Sequence, residues 1–195
     1  MQRWDWLGEH LAVDVANTVR RRGMEYVDLL DGPDALVEWI EHEAHRLRAG
    51  NAAPVTSADL ERYREVRDHV LALLRAAARG APLPAASVAA VNAEVLGSPT
   101  VRLLGPDVGT SSVQVLRPGR AVDGVVAVVA AATVDLLTGP DVAGVALCDA
   151  PSCGQLYHRD RPNQSWCDPS CGNRARAARH HRRRAGAEVA DGMAG

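Results

Sequence analysis

Every cysteine of the chain lies between residues 148 and 171, spaced Cys148-x4-Cys153-x13-Cys167-x3-Cys171. In the surrounding stretch, 148–184, only Leu156, Tyr157 and Trp166 are large and apolar, too few to offset the entropy of ordering the chain without a further tie. Each close pair can present two sulfurs from one turn, and two such turns complete a tetrahedral four-thiolate site with bonds of about 2.3 Å. A site whose four positions are all filled by protein is structural, because catalytic zinc keeps one open for water. Neither pair is a CxxC, which weighs against a redox couple. The opening MQRWDWLGEH has no basic stretch followed by an apolar one, so we expect a cytoplasmic setting, where clustered thiols hold metal in preference to forming disulfides. An iron-sulfur cluster also takes four thiolates, but the short two-turn arrangement favours one structural zinc per chain on Cys148, Cys153, Cys167 and Cys171.

A chain of 195 residues, 47% of them apolar, is enough for one cored domain and a small appendage. The longest apolar stretch, Val125 to Leu137, contains Asp135 and is shorter than the roughly 20 residues a bilayer crossing needs, so no membrane partner is expected. Charge is unevenly divided. Residues 148–184 carry eight Arg against three acidic groups, whereas residues 1–147 carry fourteen against nineteen. A basic module on an acidic body points to an anionic partner for the module alone. There is no lysine, which excludes both the phosphate-binding Lys of a Walker A loop and a Schiff-base Lys.

Upstream, Leu11, Val13 and Val15 alternate with Ala12, Asp14 and Ala16, a strand-like pattern ending at Asn17 and Thr18, which suit a turn or cap. Arg20, Arg21, Arg22 and Gly23 read as an exposed connection. A helix is predicted from Asp31, with Pro33 in its first turn, Leu36, Ile40, Ala44 and Leu47 on one face, and Gly50 as its stop. A longer one follows from Thr56 or Ser57, burying Leu60, Tyr63, Val70, Leu74 and Ala77 and ending at Gly80. Pro82 and Pro84 precede a third, with Val88, Val91 and Val95, that ends at Gly97. TVRLL and SVQVL form a hairpin around GPDVGTS, and RAVDGVVAVVAAATVDLL supplies a fourth helix, halted by Gly139 and Pro140.

Beyond the last cysteine a helix places Ala175 and Ala178 on the metal side and Arg176, Arg179 and Arg183 together on an adjoining face. The alternative is a solvated or protein-contacting helix end, where the macrodipole favours cations, and Arg182 to Arg184 fit it well. Arg176 lies in the first turns, where the dipole prefers an acid, which tilts the reading toward nucleic acid. Arg174 is open between a phosphate contact and packing on Tyr157 or Trp166. Gly172 lets the backbone pass close to the metal, and Asn173 can bond main chain or sulfur.

The run CGNR, Cys171 to Arg174, with the upstream Trp166-Cys167, resembles the CGNR zinc-finger family, and LAVDVANT near the N-terminus is similar to that family's LxLDxxNT segment. The resemblance implies an ABATE domain followed by a treble-clef finger, with the four cysteines as ligands. It further implies a DNA-binding transcription regulator. Where the family often has arginines before the WC, this chain has Gln164 and Ser165.

The resulting expectation is an α+β fold: a mainly helical N-terminal domain with a small antiparallel sheet (residues 1–140), a C-terminal treble-clef zinc finger (144–184) and a disordered tail (185–195). Arg174, Arg176, Arg179 and Arg183 are the candidate nucleic-acid contacts, with DNA as the partner. Asp14, Asn17 and Thr18 either line a pocket for a small-molecule effector or tie a turn together, and the structural role is favoured. Competing readings are a zinc-stapled interaction or homodimerisation module, and a small-molecule-binding protein acting through the N-terminal domain. No nucleophile and base come together in the sequence, so no enzyme is expected. HEAH, His42 to His45, has its histidines at i and i+3 instead of the i and i+4 of a zincin, and reads as a solvated face. GPDVGTSS is a turn and not a phosphate loop. His158, between the cysteine pairs, has no ligand position left to fill.

Overall fold

Leu11–Ala16 form a helix, α1, and not the strand predicted from their alternation. The computed structural model describes residues 8–22, 25–47, 54–115 and 121–192, and within it all six residues of α1 are buried. A helix enclosed on every side has no solvent face to imprint a 3.6-residue period, so the alternation was uninformative. Amide donors at its N-terminus and in the residues just before it are satisfied locally. His10 Nδ1 accepts from the Ala12 amide at 3.3 Å, and the Asp14 carboxylate accepts from the amides of Gly8 at 3.1 Å and Glu9 at 3.3 Å. Asn17 caps the other end.

The arginine segment expected as a connection is strand β1 (Val19–Arg22), antiparallel to β2 (Glu25–Asp28). Gly23 and Gly50 lie outside the described residues. The helix expected from Asp31 is two pieces, α2 (Pro33–His42) and α3 (Ala44–Leu47), separated at Glu43. Next come α4 (Ser57–Ala78), α5 (Ala85–Gly97), a hairpin of β3 (Thr100–Leu104) and β4 (Ser111–Val115), and α6 (Ala121–Thr138). The capping box of α4 is complete: Thr56 Oγ1 accepts from the Asp59 amide, and Asp59 accepts from the Thr56 amide at 2.9 Å. Gly80, at φ +62°, takes the left-handed turn that ends it.

One core forms where α1, α5 and α6 pack around α4. Leu60, Tyr63, Val70 and Leu74 of α4 are buried as predicted, but Ala76 takes the place expected of Ala77. Trp39 tilts against Tyr63 with ring centroids 5.4 Å apart. Arg62 ties α4 to α5 through Glu94 (2.7 Å) and to α6 through Asp123 (2.9 Å). The buried Arg67 binds Asp28 of β2 at 2.7 Å.

A 3-10 turn, Pro140–Gly144, leads into β5 (Val145–Leu147), β6 (Leu156–His158) and α7, whose backbone runs from Pro169 to Gly192. The helix thus continues over residues expected to form a disordered tail; Ala185, Ala187 and Ala190 favour helix there. The described residues hold three separate two-stranded antiparallel sheets, two in the N-terminal part and one, β5–β6, in the finger, in an α+β architecture as expected.

Val145 and Leu156 belong to the large core, so the cysteine-bearing segment does not hang on its metal site alone. Pairing within β5–β6 uses the backbone of Gln155, as acceptor from Cys148, and of Arg159, as donor to Gly144. In that register the polar groups of Leu156 and His158 point away from β5. Asn17 takes both groups of Leu156: its Nδ2 donates to the carbonyl at 2.8 Å, and its Oδ1 accepts from the amide at 3.0 Å. The Glu9 carboxylate accepts from the His158 amide at 3.0 Å. Among the described residues no helix is long and apolar enough to cross a membrane.

Candidate metal centre and basic helix

The turn after β5 and the start of α7 bring Cys148, Cys153, Cys167 and Cys171 together, all four sulfurs within 4.8 Å of one another. Ser152 (φ 61°) and Gly154 (φ 69°) make the first turn tight. Asp168 makes the second: its Oδ1 accepts from the Ser170 amide at 2.7 Å, and its carbonyl accepts from the amides of Cys171 and Gly172. Hydrogen bonds from the Ser170 side chain and then its amide hold the Asp168 carboxyl below its ordinary value.

Four sulfurs at about 2.3 Å from a central zinc form a tetrahedron with edges of about 3.8 Å. The separations are 3.7 Å for Cys153–Cys167, 3.6 Å for Cys167–Cys171 and 3.7 Å for Cys153–Cys171. The donor set and spacing therefore fit one zinc ion. Crowded thiols without a cation cannot all ionise. Cys148 is pulled down by hydrogen bonds from Cys153 and then Cys167, while the bond to Cys148 pushes Cys153 up, and bonds to Cys148 and Cys153 push Cys167 up. A dication removes this conflict by accepting all four as thiolates.

The surroundings of the cluster are specific. Arg174 Nη2 donates to the Cys171 sulfur at 2.9 Å, and the residue is otherwise exposed, so one edge of the guanidinium meets the metal site while its remaining donors are open to solvent. Gln155 Oε1 lies 3.9 Å from the Cys153 sulfur and 3.8 Å from that of Cys167, and it accepts from Arg20 of β1 at 3.0 Å. Gly172 faces the ring of Trp166, not the metal: a Cβ there would come within 3.2 Å of Trp166 Cε3. Asn173 accepts from Arg176 at 2.5 Å, leaving sulfur to Arg174. Gln164 ties its own loop together. It accepts from the Asp160 amide at 2.9 Å and donates to the Trp166 carbonyl at 3.2 Å, while its carbonyl accepts from the Tyr157 hydroxyl at 2.8 Å. His158 stands apart from the cluster, its Nε2 3.0 Å from the Asp141 carbonyl.

On α7, Ala175 is buried against the finger, and Arg176, Arg179, Arg182 and Arg183 are exposed. A groove of about 340 Å³ between the helix and the knuckle loops is lined by Ser165, Trp166, Arg179, Arg182 and the acidic Asp149. Arg182, expected at a solvated helix end, therefore shares a face with Arg179.

Asp14, Asn17 and Thr18 do not open onto a common pocket. Asp14 is fully buried and paired with Arg46 Nη1 at 2.6 Å. Asn17 grips Leu156, and the Thr18 hydroxyl donates to the Val15 carbonyl at 2.8 Å. Glu43 departs from the solvated-face reading of HEAH: it is buried and pairs with the same Arg46 nitrogen at 2.9 Å. Burial raises the carboxyl pKa of Asp14, Glu43 and Glu9 alike, opposed at Asp14 by the bond from Arg46 and at Glu9 by the His158 amide. Arg46, Glu43, Glu9 and Gln155 escaped the sequence reading. A buried Asp14 signals that some cation must lie nearby, but no local pattern names Arg46.

Comparison with protein families returns two matches. Residues 9–140 match ABATE, whose description reads "Putative stress-induced transcription regulator", and residues 145–184 match the CGNR zinc finger. No curated protein matches the chain.

Proposed function

The chain belongs to the family that joins an ABATE domain to a C-terminal CGNR zinc finger, and from that premise we propose that it is a cytoplasmic, non-catalytic transcription regulator that binds DNA through the finger helix and senses a small effector through its N-terminal domain. The observation that carries the DNA reading is the exposed stripe of Arg176, Arg179 and Arg183, with Arg182 beside it, on a helix that has no acidic residue between Pro169 and Glu188. Cys148, Cys153, Cys167 and Cys171 would hold the zinc, which when bound supplies a structural cross-link and neutralises the thiolates. Arg174 is a positioning residue for Cys171. The stripe meets phosphates, which provide most of the affinity and make it dependent on salt.

The test is a duplex selection followed by titration of the selected site across salt concentrations. Replacing Arg176, Arg179 and Arg183 with Ala is expected to weaken binding and reduce the salt slope by about one per arginine lost. An unchanged slope removes the stripe from the interface. A second reading, a self-assembly module, draws on the β3–β4 hairpin, where Leu104 is 89% exposed and Val108 is wholly so. Absence of binding to any duplex at low salt, together with a size that grows with concentration, would favour it.

A further inference from the structure

Resting on the effector-sensing part of that reading, we propose that the cleft between α1, α3, β3 and α6 binds a small organic carboxylate. The cleft has a volume of about 820 Å³, within the roughly 300–1,000 Å³ of small-molecule sites. One wall is apolar, built from Leu11, Val128 and the successive Ala131 and Ala132, whose small side chains leave room for a ligand body.

The opposite lining consists mainly of hydrogen-bond donors. Arg46 is held in place by Asp14, by Glu43 and by the Glu9 carbonyl at 2.6 Å, so its ordering cost is met before a ligand arrives. Asp14 and Glu43, which pair with Arg46 at 2.6 and 2.9 Å, offset part of its charge. His10 uses Nδ1 as an acceptor, which puts the proton of the neutral ring on Nε2. Burial and then Arg46 lower its pKa, keeping it a neutral donor. Arg102 stands at the rim, paired at 3.2 Å with Asp135, the one acidic residue among the described lining. Both partners of that pair are more than 60% exposed, so water screens it and it opens readily to a competing carboxylate. Arg46 and Arg102 among the lining of a cleft with an apolar wall suit an anionic head on an apolar body.

The site differs from the Asp14, Asn17 and Thr18 cluster expected from the sequence. Asp14 supports Arg46 from behind and does not face the ligand. Glu9 joins cleft to finger, since its carbonyl accepts from Arg46 and its carboxylate from the His158 amide.

The test is calorimetric titration of the zinc-loaded full chain with 2-naphthoate and with its neutral isostere, 2-naphthamide. We expect one site, with the acid about tenfold tighter than the amide, as a charge-assisted pair to arginine implies. Arg102→Gln, at an exposed position, should shrink that difference to roughly threefold or less. Ala132→Trp should fill the cleft and abolish binding of both, with zinc content unchanged. Equal affinity for acid and amide, no binding of the acid up to about 10 mM, or discrimination undiminished in Arg102→Gln overturns the proposal. Binding that leaves DNA affinity unaltered upholds the cleft and removes effector sensing from the functional reading.

Discussion

The body around α4 and the cysteine cluster beside it solve the same problem with different materials. Around α4, Leu60, Tyr63, Val70, Leu73 and Leu74 are buried against valines of α6. Each such side chain contributes about 1.5–3 kcal/mol by leaving water. The cluster buries Ala146, Ala150 and Tyr157 around four sulfurs. Its own apolar content is too small to order the loops from Cys148 to Cys171, so a metal supplies the cross-link that the contacts of β5 and β6 with the body do not. The contrast teaches that the two regions answer to different variables, one to solvent quality and temperature, the other to zinc activity and proton concentration. The Asn17 contact with Leu156 is one of the places where the two meet.

The largest separation between them should come from stripping the metal. Apparent binding energies of structural zinc are about 10–16 kcal/mol, so chelation should erase amide protection at Cys148, Cys153 and Cys171 while α4 stays protected in hydrogen exchange. Simultaneous loss in both would show one cooperative unit. Leu74→Ala addresses the other side: a fully buried leucine removed from a packed core costs about 2–5 kcal/mol. Its melting temperature should fall with one zinc per chain retained, as checked by elemental analysis. Asn17→Ala strips both Leu156 groups of their partner, for about 1–3 kcal/mol. It should lower zinc affinity in a competition titration even though Asn17 touches no sulfur. An unchanged affinity would mean the regions are merely adjacent.

The smallest expected effect is in pH. Asp14 and Glu43 have pKa values raised by burial, so their contribution to stability is fully present below the unfolded carboxyl range and is lost as pH rises through their folded values. The finger behaves oppositely, because thiols must lose protons to hold zinc and acid releases it. Carboxyl NMR titration of the zinc-loaded chain should place both groups above the ordinary Asp and Glu values of about 3.9 and 4.3, and ordinary values would remove this difference.

How far each region could be read in advance follows the same division. The four ligands are a matter of spacing, and spacing is written along the chain. The long helix carries its own cap, Thr56 with Asp59, and an apolar stripe at helical period. Helix α1 has neither stripe nor solvent face, so its pattern misled. The partner of Asn17 lies 139 residues away, and that of Asp14 lies 32 away across a helix break. Such pairings are decided by tertiary packing, which no local window contains. Arg174 was ambiguous for a related reason: from Cys171 a residue three positions on can turn back to the sulfur or out to solvent, and only the packed loop decides.

Strand β6 sits at the edge of a two-stranded sheet, and an edge with free amides and carbonyls is a template for another chain. Here the carboxamide of Asn17 and the carboxylate of Glu9 occupy three of the four outward groups of Leu156 and His158. Two side chains thus imitate a neighbouring strand and close the edge to strand addition. Association between copies of this protein through the outer edge of β6 is thereby blocked at those groups.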